Sequence, residues 1–160
     1  MKILHALSLS VALLVAAWVY ISIGLPQFKF IPWIGFVAWA AFYAAGGGSA
    51  GITKPVATSL AGVVLTALTM YCVGLAGGGL VALMFIIAVL AFVLVEISSI
   101  GLFSYTPAAF LGAASYFGYL MLPGSKLDVD GIFFVAISWI AGLLLGYASE
   151  FLGKKMASSE

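Results

Sequence analysis

The chain is short of charge, and arginine is missing altogether. Charged residues make up 7% of its 160 residues, apolar residues make up 65%, and the mean hydropathy is +1.28. A soluble domain carries about 25% charged residues, so this composition predicts a surface that faces lipid. Without arginine, bidentate recognition of phosphate or carboxylate by a guanidinium group is excluded. The formal net charge of +1 gives no indication of a nucleic-acid partner.

Cysteine and histidine each occur once, as Cys72 and His5. A single cysteine excludes an intramolecular disulfide, and this pair cannot supply the protein ligands of a zinc site. The acidic residues lie mostly at the ends of apolar runs, so no nucleophile, base and orienting acid can be assembled. Three glycines at 46–48 lack the Gly-Lys-Ser/Thr context of a phosphate-binding loop. We therefore expect no enzyme, no cofactor and no metal site.

Six apolar runs fill the chain, separated by glycine, proline or charge. A helix needs about 20 apolar residues to cross a bilayer, with a range of about 17–25. The second and fifth runs are short, and they begin near Pro32 and Pro107. Because barrel strands would alternate polar and apolar residues, the runs predict an all-α membrane protein with six transmembrane helices in one domain, residues 1–160. The runs are Ile3–Leu25, Phe30–Ala45, Val56–Leu75, Leu80–Leu102, Thr106–Leu122 and Gly131–Leu152.

The lysines predict how these spans are oriented. The first run exceeds the about 7–15 apolar residues of a signal peptide, so we expect it to remain as a span. Six crossings then place four lysines on one side of the membrane and two on the other. The four are Lys2, Lys54, Lys154 and Lys155, and the two are Lys29 and Lys126. Since cytoplasmic segments carry more lysine, both termini are predicted to be cytoplasmic.

Three short blocks recur in the same order in the two halves of the chain. They pair Ile23–Leu25 with Ile100–Leu102, Phe36–Tyr43 with Phe110–Phe117, and Leu60–Leu65 with Ile140–Leu145. This order predicts a duplication, with repeat one at about 3–77 and repeat two at about 79–153. Each repeat crosses the membrane three times, an odd number, so the second repeat enters from the opposite face of the membrane. We therefore expect two inverted three-helix repeats, a design that places its site near the midplane.

The second run of each repeat carries aromatic side chains at helical spacing, i, i+3 and i+7 in the first repeat and i, i+7 in the second. We expect this face to line a pathway through the membrane. The alternative is that the aromatic rings face lipid or the interface, where Trp and Tyr gather. The predicted pathway residues are Phe36, Trp39, Tyr43, Phe110, Ser115 and Phe117.

A carboxylate and a set of small residues also lie within the runs. Glu96 is inside the fourth run, and an ionisable residue there costs about 3 kcal/mol and is a functional candidate. It could couple transport to protons or sodium, or it could anchor the end of the span at the interface. Small residues at i, i+4 allow helix backbones to approach closely, so we expect them to pack helices. They are Gly62 and Thr66 in the third run and Gly142 and Gly146 in the sixth.

Three motifs together resemble a bacterial family. They are the aromatic and glycine stretch Trp33–Gly47, the segment Pro107–Phe117 and the closing segment Gly142–Glu150. In these motifs the chain resembles the YcdZ-type small inner-membrane proteins, six-span proteins of unknown function. The resemblance implies a bacterial inner membrane and six spans, and it implies no activity.

Three functions remain open at this point. The first is a channel or facilitator for a small, mostly uncharged solute such as urea, ammonia, a short amide or water, because aromatic faces and hydroxyls replace an ion's hydration shell poorly. The second is a proton- or sodium-coupled secondary transporter that uses Glu96. The third is a non-transporting structural or accessory subunit. In each case the protein lies in the lipid bilayer. We also expect a homo-oligomer, by analogy with other small membrane proteins.

Overall fold

The computed structural model describes residues 2–157, which form six α-helices. They are α1 (Ile3–Val19), α2 (Pro32–Ala44), α3 (Gly48–Leu75), α4 (Leu80–Glu96), α5 (Thr106–Leu120) and α6 (Val129–Ala157). The prediction of an all-helical chain is confirmed. A π-helical turn, Tyr20–Gly24, follows α1, and short 3₁₀ turns precede α2 and α5.

Four of these segments are long and apolar enough to cross a membrane. They are Ile3–Gly24, Gly48–Leu75, Leu80–Ser99 and Val129–Ala157, and their composition is that of a membrane protein. The segment that contains α4 has a mean hydropathy of 3.0 and few buried residues, as a helix against lipid would have. By contrast α2, with 13 residues, and α5, with 15, are shorter than a spanning helix and are rich in buried residues.

Proline and glycine determine where several helices begin and end. Pro32 lies in the first turn of α2, where its missing N–H would have no partner in the helix. Gly46, Gly47 and Gly48 all have positive φ, which ends α2 and turns the chain directly into α3. As a result α3 begins at Gly48 rather than near Val56 as the apolar run suggested, and it contains Pro55.

The helices form two compact units. Unit 1 takes the chain up to Thr53 and from Ile137 onward, so it contains α1, α2, the start of α3 and most of α6. Unit 2 is Lys54–Ala136, and it contains most of α3, α4, α5 and the start of α6. Each unit therefore joins the first two helices of one predicted repeat to the third helix of the other.

Glycine allows close helix crossings inside each unit. In unit 1 a Cβ at Gly142 of α6 would overlap the carbonyl oxygen of Gly35 on α2. In unit 2 a Cβ at Gly62 of α3 would overlap the carbonyl oxygen of Ala109 on α5. Small residues permit such backbone contact where lipid gives no hydrophobic drive to associate. The two contacts involve equivalent positions, because the repeated blocks align Gly62 with Gly142 and place Gly35 and Ala109 just before Phe36 and Phe110.

Candidate functional site

A buried polar cluster joins α1, α2 and α6 within unit 1. The hydroxyl of Ser149 on α6 accepts the indole N–H of Trp39 at 3.0 Å and lies 2.7 Å from the hydroxyl of Tyr43. The Ser149 backbone carbonyl accepts the hydroxyl of Ser10 on α1 at 2.8 Å. Ser10 and Ser149 are fully buried and Trp39 is 4% exposed, whereas Tyr43 is 38% exposed. We call Ser10, Trp39, Tyr43 and Ser149 the Ser149 cluster.

The hydroxyl of Ser149 makes all the hydrogen bonds that its proton and two lone pairs allow. It also lies 2.7 Å from the carbonyl oxygen of Gly146, to which it donates its proton. With that proton used, both lone pairs of the hydroxyl accept, one from Trp39 and one from Tyr43. The O–H of Tyr43 donates in this arrangement and its oxygen keeps its lone pairs, so Tyr43 is the partly exposed member of the cluster that can accept a further hydrogen bond.

A carboxylate follows the cluster directly along α6. Glu150 Oε2 accepts the backbone N–H of Gly48, the first residue of α3, at 2.6 Å, and Oε1 pairs with Lys154 one turn further on. A carboxylate at the start of a helix is stabilised by the unpaired N–H groups and by the helix dipole. Gly47 approaches this carboxylate so closely that a Cβ there would lie 2.8 Å from Oε2.

A cavity of about 200 Å³ opens at this end of unit 1. Its lining residues are Gly48, Ser49, Tyr147, Glu150, Phe151 and Lys154. Polar and charged groups form part of its wall, and Ser149 is the residue that precedes Glu150 on α6.

Unit 2 contains a second cavity, of about 300 Å³, where α6 begins; its wall is mostly apolar, with a few polar side chains. Tyr71 of α3, Tyr116 of α5 and Asp128 are among its lining residues. Asp128 Oδ1 accepts the backbone N–H of Gly131 at 2.8 Å, a capping bond for the first turn of α6. The hydroxyl of Tyr116 is buried and makes no hydrogen bond to any described residue.

The described residues bring no three His, Cys, Asp or Glu side chains together as metal ligands. Each of the two cavities has one carboxylate residue in its wall, Glu150 in unit 1 and Asp128 in unit 2.

A protein family matches almost the whole of this chain. The family described as "Protein of unknown function (DUF1097)" matches residues 8–154. The chain belongs to the DUF1097 family. The uncharacterized protein YahC of Escherichia coli (strain K12) is 29% identical to it over 164 residues, covering 98% of this chain and 94% of YahC. No solved structure matches the chain.

The family assignment confirms the coarser part of the resemblance drawn from the sequence, a bacterial family of unknown function. It does not confirm the YcdZ-type name, which stays a prediction. Because the family match runs from residue 8 to 154, it includes both cavities and the Ser149 cluster of this DUF1097 chain.

The predicted pathway residues of the first repeat lie in unit 1, with different exposures. Trp39 points into the unit and meets Tyr43 at Ser149, whereas Phe36 is exposed. Spacing alone placed the three rings on one face; in the structure the indole N–H of Trp39 finds the buried partner that an apolar environment requires.

The predicted pathway residues of the second repeat lie in unit 2. Phe110 and Phe117 line a common apolar cavity of about 200 Å³ with Leu90 and Leu94 of α4. Ser115 is fully buried, and its hydroxyl donates to the Leu111 carbonyl of its own helix at 2.8 Å.

Glu96 lies at the exposed end of α4, whereas the glycines predicted to pack helices lie at helix contacts. Glu96 is the last residue of α4, and its side chain is exposed. Thr66 is buried and donates its hydroxyl to the Gly62 carbonyl at 2.7 Å. A Cβ at Gly146 would lie 2.7 Å from the ring of Phe42, so α6 touches α2 there as it does at Gly142.

Sequence reasoning missed four residues of these sites: Ser10, Ser149, Tyr116 and Asp128. The signal for Ser149 was a serine three residues after Gly146 in an apolar helix, which by itself indicates only a bond back to its own helix. Its partners on α1 and α2 are more than a hundred residues away, and no spacing rule connects them.

Proposed function

We propose that this protein is a multi-pass inner-membrane facilitator for a small, mostly uncharged solute of the urea, ammonia, short-amide or water class. The observation that carries the proposal is the Ser149 cluster, a set of uncharged hydrogen-bonding groups inside an apolar helical unit. Among these groups the partly exposed Tyr43 oxygen can accept a hydrogen bond from a neutral solute, whereas an ion would need compensating charge that the cluster lacks.

Tyr43 is the group in the cluster that a solute would meet. Tyr43 is 38% exposed, its hydroxyl is held in position by Ser149, and its oxygen retains lone pairs. An N–H of urea, ammonia or an amide can donate to that oxygen. The cavity lined by Tyr147 and Glu150 would provide the approach from water.

The proposed topology is six spans in two inverted repeats, with both termini cytoplasmic. The short helices α2 and α5 would cross the bilayer together with the 3₁₀ turns that precede them. The equivalent glycine contacts, Gly142 with Gly35 and Gly62 with Ala109, support a duplication. The lysine distribution supports the orientation. Assembly as a homo-oligomer belongs to the same proposal, since exposed α4 offers an apolar face to a second copy or to lipid.

One observation favours a second candidate, a non-transporting structural or accessory subunit. Ser149 uses its donor and both lone pairs, so the cluster also has the character of a closed cross-link between helices. A cluster that only cross-links helices stabilises the fold and leaves permeability unchanged.

Proteoliposomes with purified protein separate these functions. The rate of volume recovery after osmotic shock with urea or acetamide would be compared with that of empty liposomes. We expect faster recovery, and we expect Tyr43→Phe to slow it by about fivefold, the equivalent of one hydrogen bond of about 1 kcal/mol. Tyr20→Phe is the matched control, because Tyr20 is exposed and its ring lies over Gly24.

Recovery equal to that of empty liposomes would reject the facilitator and favour the structural subunit. Uptake that requires a proton or sodium gradient and disappears in Glu96→Gln would favour the coupled transporter instead. Equal urea recovery in wild type and Tyr43→Phe would remove the Ser149 cluster from the pathway.

A further inference from the structure

The cavity of unit 2 contains a polar group whose presence packing does not explain. Tyr116 is fully buried, its side chain lines the cavity, and its hydroxyl has no hydrogen-bond partner among residues 2–157. Leaving a buried hydroxyl unpaired costs about 1–3 kcal/mol. A buried polar group without a partner calls for an explanation, and a bound molecule that completes the hydrogen bond is one such explanation.

The corresponding position in unit 1 shows that the fold does not need this hydroxyl. The repeated blocks align Tyr116 with Phe42, and Phe42 is also fully buried. Phe42 packs against Gly51 at the start of α3, so a phenyl ring alone fills that place. Both units therefore use an aromatic ring at this position for packing, and the hydroxyl group of Tyr116 is not needed for that packing.

Asp128 gives the cavity a second group with the opposite hydrogen-bonding role. One of its carboxylate oxygens caps α6 at Gly131, and the other accepts no hydrogen bond from the described residues. Both residues line this cavity of about 300 Å³: Tyr116, whose buried O–H lacks an acceptor, and the exposed Asp128, one of whose carboxylate oxygens lacks a donor among the described residues.

We propose that this cavity binds a primary amide or urea, whose carbonyl oxygen accepts the Tyr116 O–H and whose N–H donates to the Asp128 carboxylate. Ammonium offers only donors and leaves the phenol proton without an acceptor. A carboxylate anion could accept from Tyr116, but it would meet the negative charge of Asp128. A neutral amide matches both groups at once.

This proposal takes its choice of solute class from the proposed function, but it concerns binding rather than flux. Binding is measured on the whole protein in nanodiscs by ligand-observed saturation-transfer NMR, with empty nanodiscs as background. The probes are acetamide, acetone and acetate, three molecules of nearly equal shape. Only acetamide carries both a carbonyl and N–H donors, so we expect saturation transfer to acetamide alone, with displacement by urea.

Three variants assign the signal to the cavity. Tyr116→Phe and Asp128→Asn should each weaken acetamide binding by about fivefold or more, the loss of one hydrogen bond. Tyr119→Phe is the matched control, a neighbouring tyrosine on the same helix whose ring lies 5.7 Å from that of Tyr116, and it should bind as wild type does. The thermal midpoint of ligand-free Tyr116→Phe should equal or exceed that of wild type, which separates lost binding from unfolding.

Unchanged acetamide binding in Tyr116→Phe, or acetone binding as strong as acetamide binding, would overturn the proposal. An absence of any acetamide signal with the wild-type protein would also overturn it, even if liposome flux were observed. If binding followed the expected pattern but the liposomes showed no solute flux, the binding site would be supported and only the facilitator function would be rejected.

Discussion

Trp39 on α2 donates its indole N–H to the hydroxyl of Ser149 on α6, with 3.0 Å between the nitrogen and the oxygen. The two helices otherwise pack through mostly apolar groups. A tryptophan N–H in such surroundings needs a partner, and the partner is a serine that no sequence pattern connects to it. This bond fixes the contact between two helices of unit 1, and its energy can be measured directly.

We expect Trp39→Phe and Ser149→Ala to be coupled in a double-mutant cycle. Each single substitution leaves a buried group unpaired and should lower the free energy of unfolding by about 1–3 kcal/mol. Interhelical hydrogen bonds in membrane proteins have coupling energies of about 0.6–1.7 kcal/mol, so the double variant should lose less than the sum by about this amount. SDS titration in mixed micelles, followed by circular dichroism, measures the free energies.

Ser8→Ala is the control for this cycle. The Ser8 hydroxyl is exposed and bonds only to the Leu4 carbonyl of its own helix, at 2.9 Å, so its removal should change stability little. Strict additivity of the Trp39 and Ser149 substitutions would contradict the proposed hydrogen bond.

A second prediction concerns the glycines at the helix crossings. Gly62→Ala and Gly142→Ala should each destabilise the protein by about 1–3 kcal/mol, because the added methyl group meets a backbone carbonyl that cannot rotate away. Gly74→Ala is the matched control on α3, since a Cβ there meets no atom within 4 Å. It should be neutral or stabilising by up to about 1 kcal/mol, because alanine favours helix.

Thermal unfolding in detergent of these three variants is the measurement. If Gly62→Ala were as stable as Gly74→Ala, the close crossing of α3 and α5 would be wrong. Similar losses at Gly62 and Gly142 would be the result expected of two equivalent crossings.

The third prediction separates the two bonds of Glu150. Glu150→Ala removes a charge-assisted bond to the Gly48 N–H, and the free energy of unfolding should fall by about 1.5–3 kcal/mol. Lys154→Gln removes only the ion pair, and the lysine side chain is 66% exposed, so the loss should stay below about 1 kcal/mol. Salt should reduce the second effect more than the first, because exposed pairs are screened.

Chemical denaturation of the two variants at low and high salt tests this ranking. A loss in Lys154→Gln as large as that in Glu150→Ala would show that the ion pair, and not the helix-start contact, holds this end of α6, because Glu150→Ala removes both.

Some features of the fold could be predicted because they depend on local chemistry. Pro32 and Pro107 marked the starts of α2 and α5, since proline is favoured in the first turn of a helix. The start of α3 was predicted too late, near Val56, because Lys54 and Pro55 interrupt the apolar run. In the structure the helix continues through Pro55 back to Gly48.

The candidate sites were harder to predict, since they depend on which helices meet. The aromatic spacing placed Trp39 and Tyr43 on one face of α2, but it gave no partner for either. Glu150 and Lys154 are four residues apart, the spacing of a helical ion pair, whereas the second oxygen of Glu150 reaches a backbone N–H of α3. Tyr116 carried no signal at all, because an unpaired hydroxyl can be recognised only when its surroundings are known.

By itself the sequence determined that this is an all-helical protein with long apolar helices, because composition and the length of apolar runs fix the solvent and the secondary structure. It also determined the recurrence of glycine and aromatic blocks in both halves. Only the tertiary structure decided that each unit takes its third helix from the other half, and that Ser149, Glu150, Tyr116 and Asp128 carry the polar groups. The physical reason is that hydrogen bonds between distant helices depend on packing geometry, which local residue patterns do not encode.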